Sequence, residues 1–266
     1  MRWIERLIPG SRSDQAATVA GQMAEAYAAS EGGDYQRALA IWGPLAQAGV
    51  GRAQNNVGAC FAEGLGVERD PALALKWLSL SADAGDPVGQ RNLAALYFKG
   101  EAVAQDYQRA AELYRKAAEA GDAPAQDMLS WMLLEGEVIA ADHAEAFAWA
   151  KRAADAGVAS SMTRVGMMYH NALGGVPRDP AEAAAWWSKA AVAGDADGQA
   201  MLGAAHLMGA GAVRDPERAL WLLLQAKAGG SELALRFIDA ARGALTEARA
   251  KEIENAVLGR DPELAS

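Results

Sequence analysis

Apolar positions in this chain recur with the period of a helix. Val57, Gly58 and Phe61 fall at i, i+1 and i+4 and share one face of a helix that stops near Gly64. The trio returns as Leu93, Ala94 and Tyr97, then Leu129, Ser130 and Leu133, then Val165, Gly166 and Tyr169. Its middle residue is never larger than serine, which lets a neighbouring helix approach closely, so Gly58 and Gly166 are expected to be structural. A second helical pattern follows each trio: Ala74 with Trp77, Ala110 with Tyr114, Ala146 with Trp149, and Ala183 with Trp186 and Trp187. In front of these second helices stand Asp70, Asp106, Asp142, Asp179 and Asp215, with proline next after Asp70, Asp179 and Asp215. A carboxylate there can accept the free backbone N–H groups of the first turn, and proline gives up an N–H that has no partner anyway. Each second helix runs out at Ala-Gly, where glycine can take the left-handed conformation that ends a helix. Val67, Val103, Ile139 and Val176, three residues before their capping aspartates, are expected to tuck in the loop between the helices.

These markers keep a common period. The terminating glycine recurs at Gly49, Gly85, Gly121, Gly157, Gly194 and Gly229, at spacings of 36, 36, 36, 37 and 35. The capping aspartates step by 36, 36, 37 and 36, and the leading apolar residue returns as Val57, Leu93, Leu129, Val165 and Leu202. Three registers that agree identify a repeat protein. One helical pair cannot bury its apolar face alone, whereas stacked pairs share a continuous core. The expected fold is therefore all-α, a right-handed α-solenoid of stacked helix-turn-helix repeats. The expected divisions are an N-terminal segment, 1–15; a first pair, 16–48; repeats at 49–84, 85–120, 121–156, 157–193 and 194–230; and capping helices with a tail, 231–266. The whole is read as one solenoid domain. Trp3, Ile4, Leu7 and Ile8 would share one side of a short N-terminal helix that caps the first pair, and a new helix is expected near Thr246.

The pattern LG..Y..G.GV..D..KA..W..KAA..G resembles the Sel-1-like repeat, a relative of the tetratricopeptide repeat. VGACFAEGLGVERDPALALKWLSLSADAG and VGMMYHNALGGVPRDPAEAAAWWSKAAVAG carry the resemblance most closely. LSWMLLEGEVIAADHAEAFAWAKRAADAG departs furthest, with Ser130 in the glycine slot and no proline after Asp142. GGDYQRALAIWGPLAQAG, in the first pair, looks more like a plain tetratricopeptide repeat.

Composition narrows the function classes. The chain has 266 residues, is 52% hydrophobic and carries a formal charge of −9, with no basic stripe, so no nucleic-acid partner is expected. No apolar run is long enough to span a membrane, and no secretory or lipid-attachment signal is seen at the N-terminus, so a cytoplasmic protein, monomeric when free, is expected. Cys60 is the one cysteine, which excludes an internal disulfide and reads as a small core residue. His143, His170 and His206 lie in different repeats without metal-ligand spacing, and His206 fills the slot of Phe61, Tyr97 and Tyr169. No nucleophile motif or phosphate loop is present, and Gly64-Leu65-Gly66 and Gly209-Ala210-Gly211 recur as inter-helix loops with no strand before them. No catalytic residue, metal or cofactor is expected. Relatives proposed to act on β-lactam-like or peptidoglycan-related ligands typically carry a cysteine pair in each repeat, a pattern from which this chain departs.

The resemblance implies a protein or peptide partner bound in a concave groove lined by the first helix of each pair. It points inward the residues two before, two after, and five to six after the leading apolar position. The first set is Asn55, Arg91, Asp127 and Thr163, and the second is Ala59, Ala95, Trp131 and Met167. Phe98 with Lys99, Leu134 with Glu135, and His170 with Asn171 follow. Trp131 and Met167 are not required by the repeat, and both are residue types suited to binding hot spots. Asn55, Asn56, Arg91 and Asn92 could clamp a peptide backbone or a terminal carboxylate. The leading expectation is a non-enzymatic adaptor or scaffold. The alternatives are an immunity or inhibitor protein that sequesters a bacterial toxin or hydrolase and, third, an enzyme or binder acting on cell-wall-type ligands.

Overall fold

A computed structural model describes residues 12–259, and the N-terminal cluster of Trp3, Ile4, Leu7 and Ile8 lies outside them. Among the described residues the regular structure is helical, without strands. Their contacts divide them into two compact units, one ending at Asp122 and the other beginning at Ala123.

The first unit holds three helical pairs: α1 (Arg12–Glu31) with α2 (Tyr35–Gln47), α3 (Gly51–Glu63) with α4 (Pro71–Asp83), and α5 (Pro87–Lys99) with α6 (Tyr107–Glu119). Each helix packs on the next in sequence, and the first helices α3 and α5 also touch each other. Trp42, Leu45, Val57 and Cys60 form a buried cluster, with Trp77 and Val67 packed against its edge. Burying one such large side chain is worth about 1.5–3 kcal/mol.

The second unit repeats the scheme in α7 (Ala123–Glu135) with α8 (His143–Asp155), α9 (Ala159–Asn171) with α10 (Pro180–Val192), and α11 (Ala196–Met208) with α12 (Pro216–Ala228). It closes with a 3-10 turn, Leu233–Arg236, and the helices α13 (Ile238–Gly243) and α14 (Glu247–Leu258). Thr246 caps α14, its hydroxyl accepting from the Arg249 N–H at 3.3 Å. Ile253 of α14 and Ala241 of α13 join Leu220 and Leu223 of α12 in one cluster, so the terminal segment covers the apolar face of the last repeat.

Within each repeat the same polar contacts set the turn. Asp70, Asp106, Asp142, Asp179 and Asp215 each sit in extended backbone before the second helix and accept from its first-turn N–H groups at 2.9 to 3.0 Å. Each also donates its own N–H to a carbonyl of the first helix: Phe61, Tyr97, Leu133, Tyr169 and His206 respectively. Replacing such a cap by alanine typically costs about 1 kcal/mol.

The small residue of the trio sits against the second helix of its own pair. A Cβ on Gly58 would lie 2.9 Å from Leu78 Cγ, on Gly203 2.9 Å from Leu223 Cγ, and on Gly166 would collide with the Trp187 indole nitrogen. That nitrogen donates to the Thr163 carbonyl at 3.2 Å, which pins the ring over the glycine.

The register of the last terminator needs correcting. Gly229 has a right-handed φ of −78°, and Gly230 takes the left-handed turn at φ 88°. The interval from Gly194 is thus thirty-six residues, in step with the capping aspartates. The Gly-Gly pair hides the shift from a count of glycines.

The one-residue expansion of the fourth repeat lies in the α9–α10 loop. There Ala172 ends α9 in the left-handed region, φ 56°, where Gly64, Gly100 and Gly209 end their helices.

Candidate functional site: a pocket on the first helices of the second unit

The polar residues placed two before the leading apolar position fasten one repeat to the next. Asn55 is only 4% exposed, and its side-chain oxygen accepts from the Asn92 amide at 2.8 Å while its own amide donates to Asn56 at 3.1 Å. Arg91 pairs with Asp122, one bond at 3.2 Å. In the second unit Asp127 accepts from the Arg164 guanidinium at 2.6 Å and from the hydroxyls of Ser160 and Ser161. Thr163, 7% exposed, donates its hydroxyl to Asp195 at 2.6 Å, and Asp195 also caps α11 through the Gly198 N–H.

The four residues expected to clamp a peptide, Asn55, Asn56, Arg91 and Asn92, are engaged within the protein, and so are Asp127 and Thr163, expected to face the groove. Asn55 and Thr163 are buried, and the other four engage in side-chain bonds inside the protein. The physical reason is that Asn55, Arg91, Asp127 and Thr163, two before the leading apolar residue, bond to side chains further along the stack. Except for Asn56, bonded to the adjacent Asn55, the six residues have partners thirty-one to thirty-seven residues away, and polar complementarity at that separation is the signal that could have revealed them.

His170 is not among the residues that line the pocket with Trp131 and Met167. Its ring lies against Trp187, with centroids 5.6 Å apart. His206 bonds the loop through Nδ1 and the Val213 carbonyl at 2.9 Å, a role beyond filling the aromatic slot. Cys60 is 2% exposed, and burial pushes its thiol up to about 11, so it stays protonated near neutral pH and is a weak nucleophile.

Trp131 and Met167 come together. They line an open pocket of about 180 Å³ with Leu134 and Glu135 of α7, Ser160, Thr163 and Arg164 of α9, Asp195 and Asp197 at the start of α11, and Leu233 of the 3-10 turn. Sequence reasoning named Trp131, Thr163, Met167, Leu134 and Glu135 for this face and missed the rest. Leu233 belongs to the terminal segment, which lacks the repeat signature, and Asp195 and Asp197 sit outside the groove positions.

Close approach of α11 to α9 shapes one wall. A Cβ on Gly198 would meet Thr163 Oγ1 at 2.7 Å and Ala190 Cβ at 2.5 Å, so a larger residue there would part the helices. Asp197 is held by the Ser231 hydroxyl at 2.5 Å. The walls thus combine apolar side chains with carboxylates, and the single guanidinium among them is matched by Asp127. No group of three or more metal-ligating side chains is found among the described residues, and none of their helices is long and apolar enough to cross a membrane.

Comparison with known proteins gives this arrangement its lineage. The Sel1 repeat family model matches residues 51–86, 87–122, 123–158, 159–195 and 196–231. A Sel1 repeat protein from Oxalobacter formigenes superposes with a TM-score of 0.76 at 28% identity, over 82% of this chain and 86% of that one. The c5321 protective antigen of uropathogenic Escherichia coli, which displays an SLR fold, superposes with a TM-score of 0.62 at 24% identity, over 92% and 70%. No curated protein matches. With five tandem repeats matched over more than half its length, the chain belongs to the Sel1 repeat family and is built as a solenoid of stacked helical repeats.

Proposed function

We propose that this chain is a protein-interaction scaffold that receives a protein or peptide partner on the first-helix face of its second unit. Sel1 repeat proteins generally mediate protein–protein interaction, and the fold typically serves as a non-enzymatic scaffold. The observation that carries the reading is the meeting of Trp131 and Met167, neither demanded by the repeat, in the walls of one pocket. Partly exposed tryptophan and methionine beside a polar rim are the composition of an interaction hot spot.

Binding rather than turnover is also favoured by the hydroxyls and carboxylates present. The Thr163 hydroxyl is buried and donates to a helix-capping carboxylate, and the Ser160 hydroxyl donates to Asp127, so both serve packing between repeats. The test compares wild type with Trp131→Ala/Met167→Ala in capture from a lysate of the source organism. The expected result is a protein retained by wild type and lost from the variant while the variant keeps its helical circular dichroism. Equal retention by both would remove this pocket from the reading.

A further inference from the structure

The pocket also carries information about the chemistry of what enters it. Three carboxylates line it, those of Glu135, Asp195 and Asp197. The one cation there, Arg164, is compensated by Asp127 at 2.6 Å. Asp195 and Asp197 receive hydrogen bonds from neutral hydroxyls and a backbone N–H, which orient the carboxylates without cancelling their charge. Glu135 is exposed. The local field is therefore negative, set in a chain whose formal charge is −9. Against it stand Trp131, Leu134, Met167 and Leu233, which suit an apolar stem.

A long aliphatic stem ending in a cation matches both features, since lysine and arginine lay their methylenes on apolar surface while the charged head reaches polar groups. A tryptophan face adds attraction for a cation within about 6 Å of its centroid. We propose that the pocket receives a lysine or arginine side chain of an extended peptide segment in the partner, its stem on Trp131, Leu134 and Met167 and its charge met by Glu135 and Asp197. This rests on the pocket being the partner-binding site and adds the partner's chemistry.

The experiment uses the full chain, immobilised, and a positional-scanning library of synthetic octapeptides in which one position at a time is fixed. The expected result is enrichment of pools fixed as Lys or Arg over those fixed as Glu or Gln by roughly tenfold, a ratio equivalent to about 1.4 kcal/mol. That preference should fall at least severalfold in Glu135→Gln/Asp197→Asn and in Glu135→Gln alone. It should persist in Glu119→Gln/Glu182→Gln, which removes the same formal charge from exposed positions outside the pocket. Peptide retention that depends on Trp131 but shows no basic preference would overturn the chemistry and leave the site standing. An equal loss of preference in both double variants would also overturn it, by reducing it to overall charge. Retention unaffected by Trp131→Ala, or no retention at all, would overturn the site and the chemistry together.

Discussion

The two units use the same repeat to different ends. Two residues after the leading apolar position, the first unit carries Ala59 and Ala95, and the second carries Trp131, Met167 and, in its last repeat, Ala204. Two residues before it, both units do the same work: Arg91 with Asp122 and Asn55 with Asn92 in the first, Asp127 with Arg164 and Thr163 with Asp195 in the second. One register position fastens the stack, and at another the second unit carries the larger side chains of Trp131 and Met167, which line the pocket. Changes at fastening positions should therefore act on stability, and changes at presenting positions on binding.

The largest expected effect breaks the packing that both units share. Gly166→Leu drives a branched side chain into Trp187 and should lower stability by about 3 kcal/mol, the upper end for overpacking. Ala59→Leu, on the half-buried presenting position of the first unit, should change it by less than about 0.5 kcal/mol. Urea unfolding of the two variants checks the contrast, and similar losses would dissolve it.

Next comes the fastening position itself. Asp127→Ala leaves the Arg164 guanidinium, only 11% exposed in its side chain, without its carboxylate. It should cost about 2 kcal/mol, since hydrogen bonds to charged groups contribute about 1.5–3 kcal/mol each. Arg91→Ala should cost less, because its pair is longer, at 3.2 Å, and the arginine is more exposed. Chemical denaturation that ranks them in reverse would contradict the assignment of the tighter clasp to the second unit.

A smaller effect has the opposite sign. Ala172→Gly, at a left-handed helix end with φ 56°, should stabilise by roughly 1 kcal/mol, because an L side chain there costs about 1–2 kcal/mol. A thermal melt would show the rise in midpoint.

The smallest effect concerns the end of the second unit. Glu217 of α12 accepts from Arg249 of α14 at 2.7 Å, and that hydrogen bond, with the attraction of the guanidinium, holds the Glu217 carboxyl below its ordinary value. Because its folded value is depressed, the stabilisation is present above the unfolded glutamate value and is lost as pH falls through the folded one. Both side chains are exposed, so only the titration should register it. A carboxyl NMR titration of Glu217 should move up in Arg249→Ala, and an unmoved midpoint would remove the pair.

Much of the fold was legible in the residues. The capping aspartates, the small residue beside Leu78 or Trp187, and the terminating glycines each report a local steric or hydrogen-bonding need that the chain states within a few positions. The slip at Gly229 arose where two glycines compete for one conformation, which only the backbone resolves. The site was half legible. Trp131 and Met167 stood out against the repeat, but the clasps around Asn55, Arg91, Asp127 and Thr163 join residues about a full repeat apart, which reading single positions does not reveal. Leu233 entered the pocket from a segment with no repeat register to predict it.

The claim that the second unit presents the binding face is tested most directly by a matched pair of photo-crosslinkers. Leu134 and Phe98 occupy the same register position, one in each unit, and both are partly exposed. With benzoylphenylalanine at each position in turn, expressed in the source organism and irradiated, the expected result is a protein adduct from position 134 and none from position 98. An adduct from position 98 alone, or equal adducts from both, would contradict it.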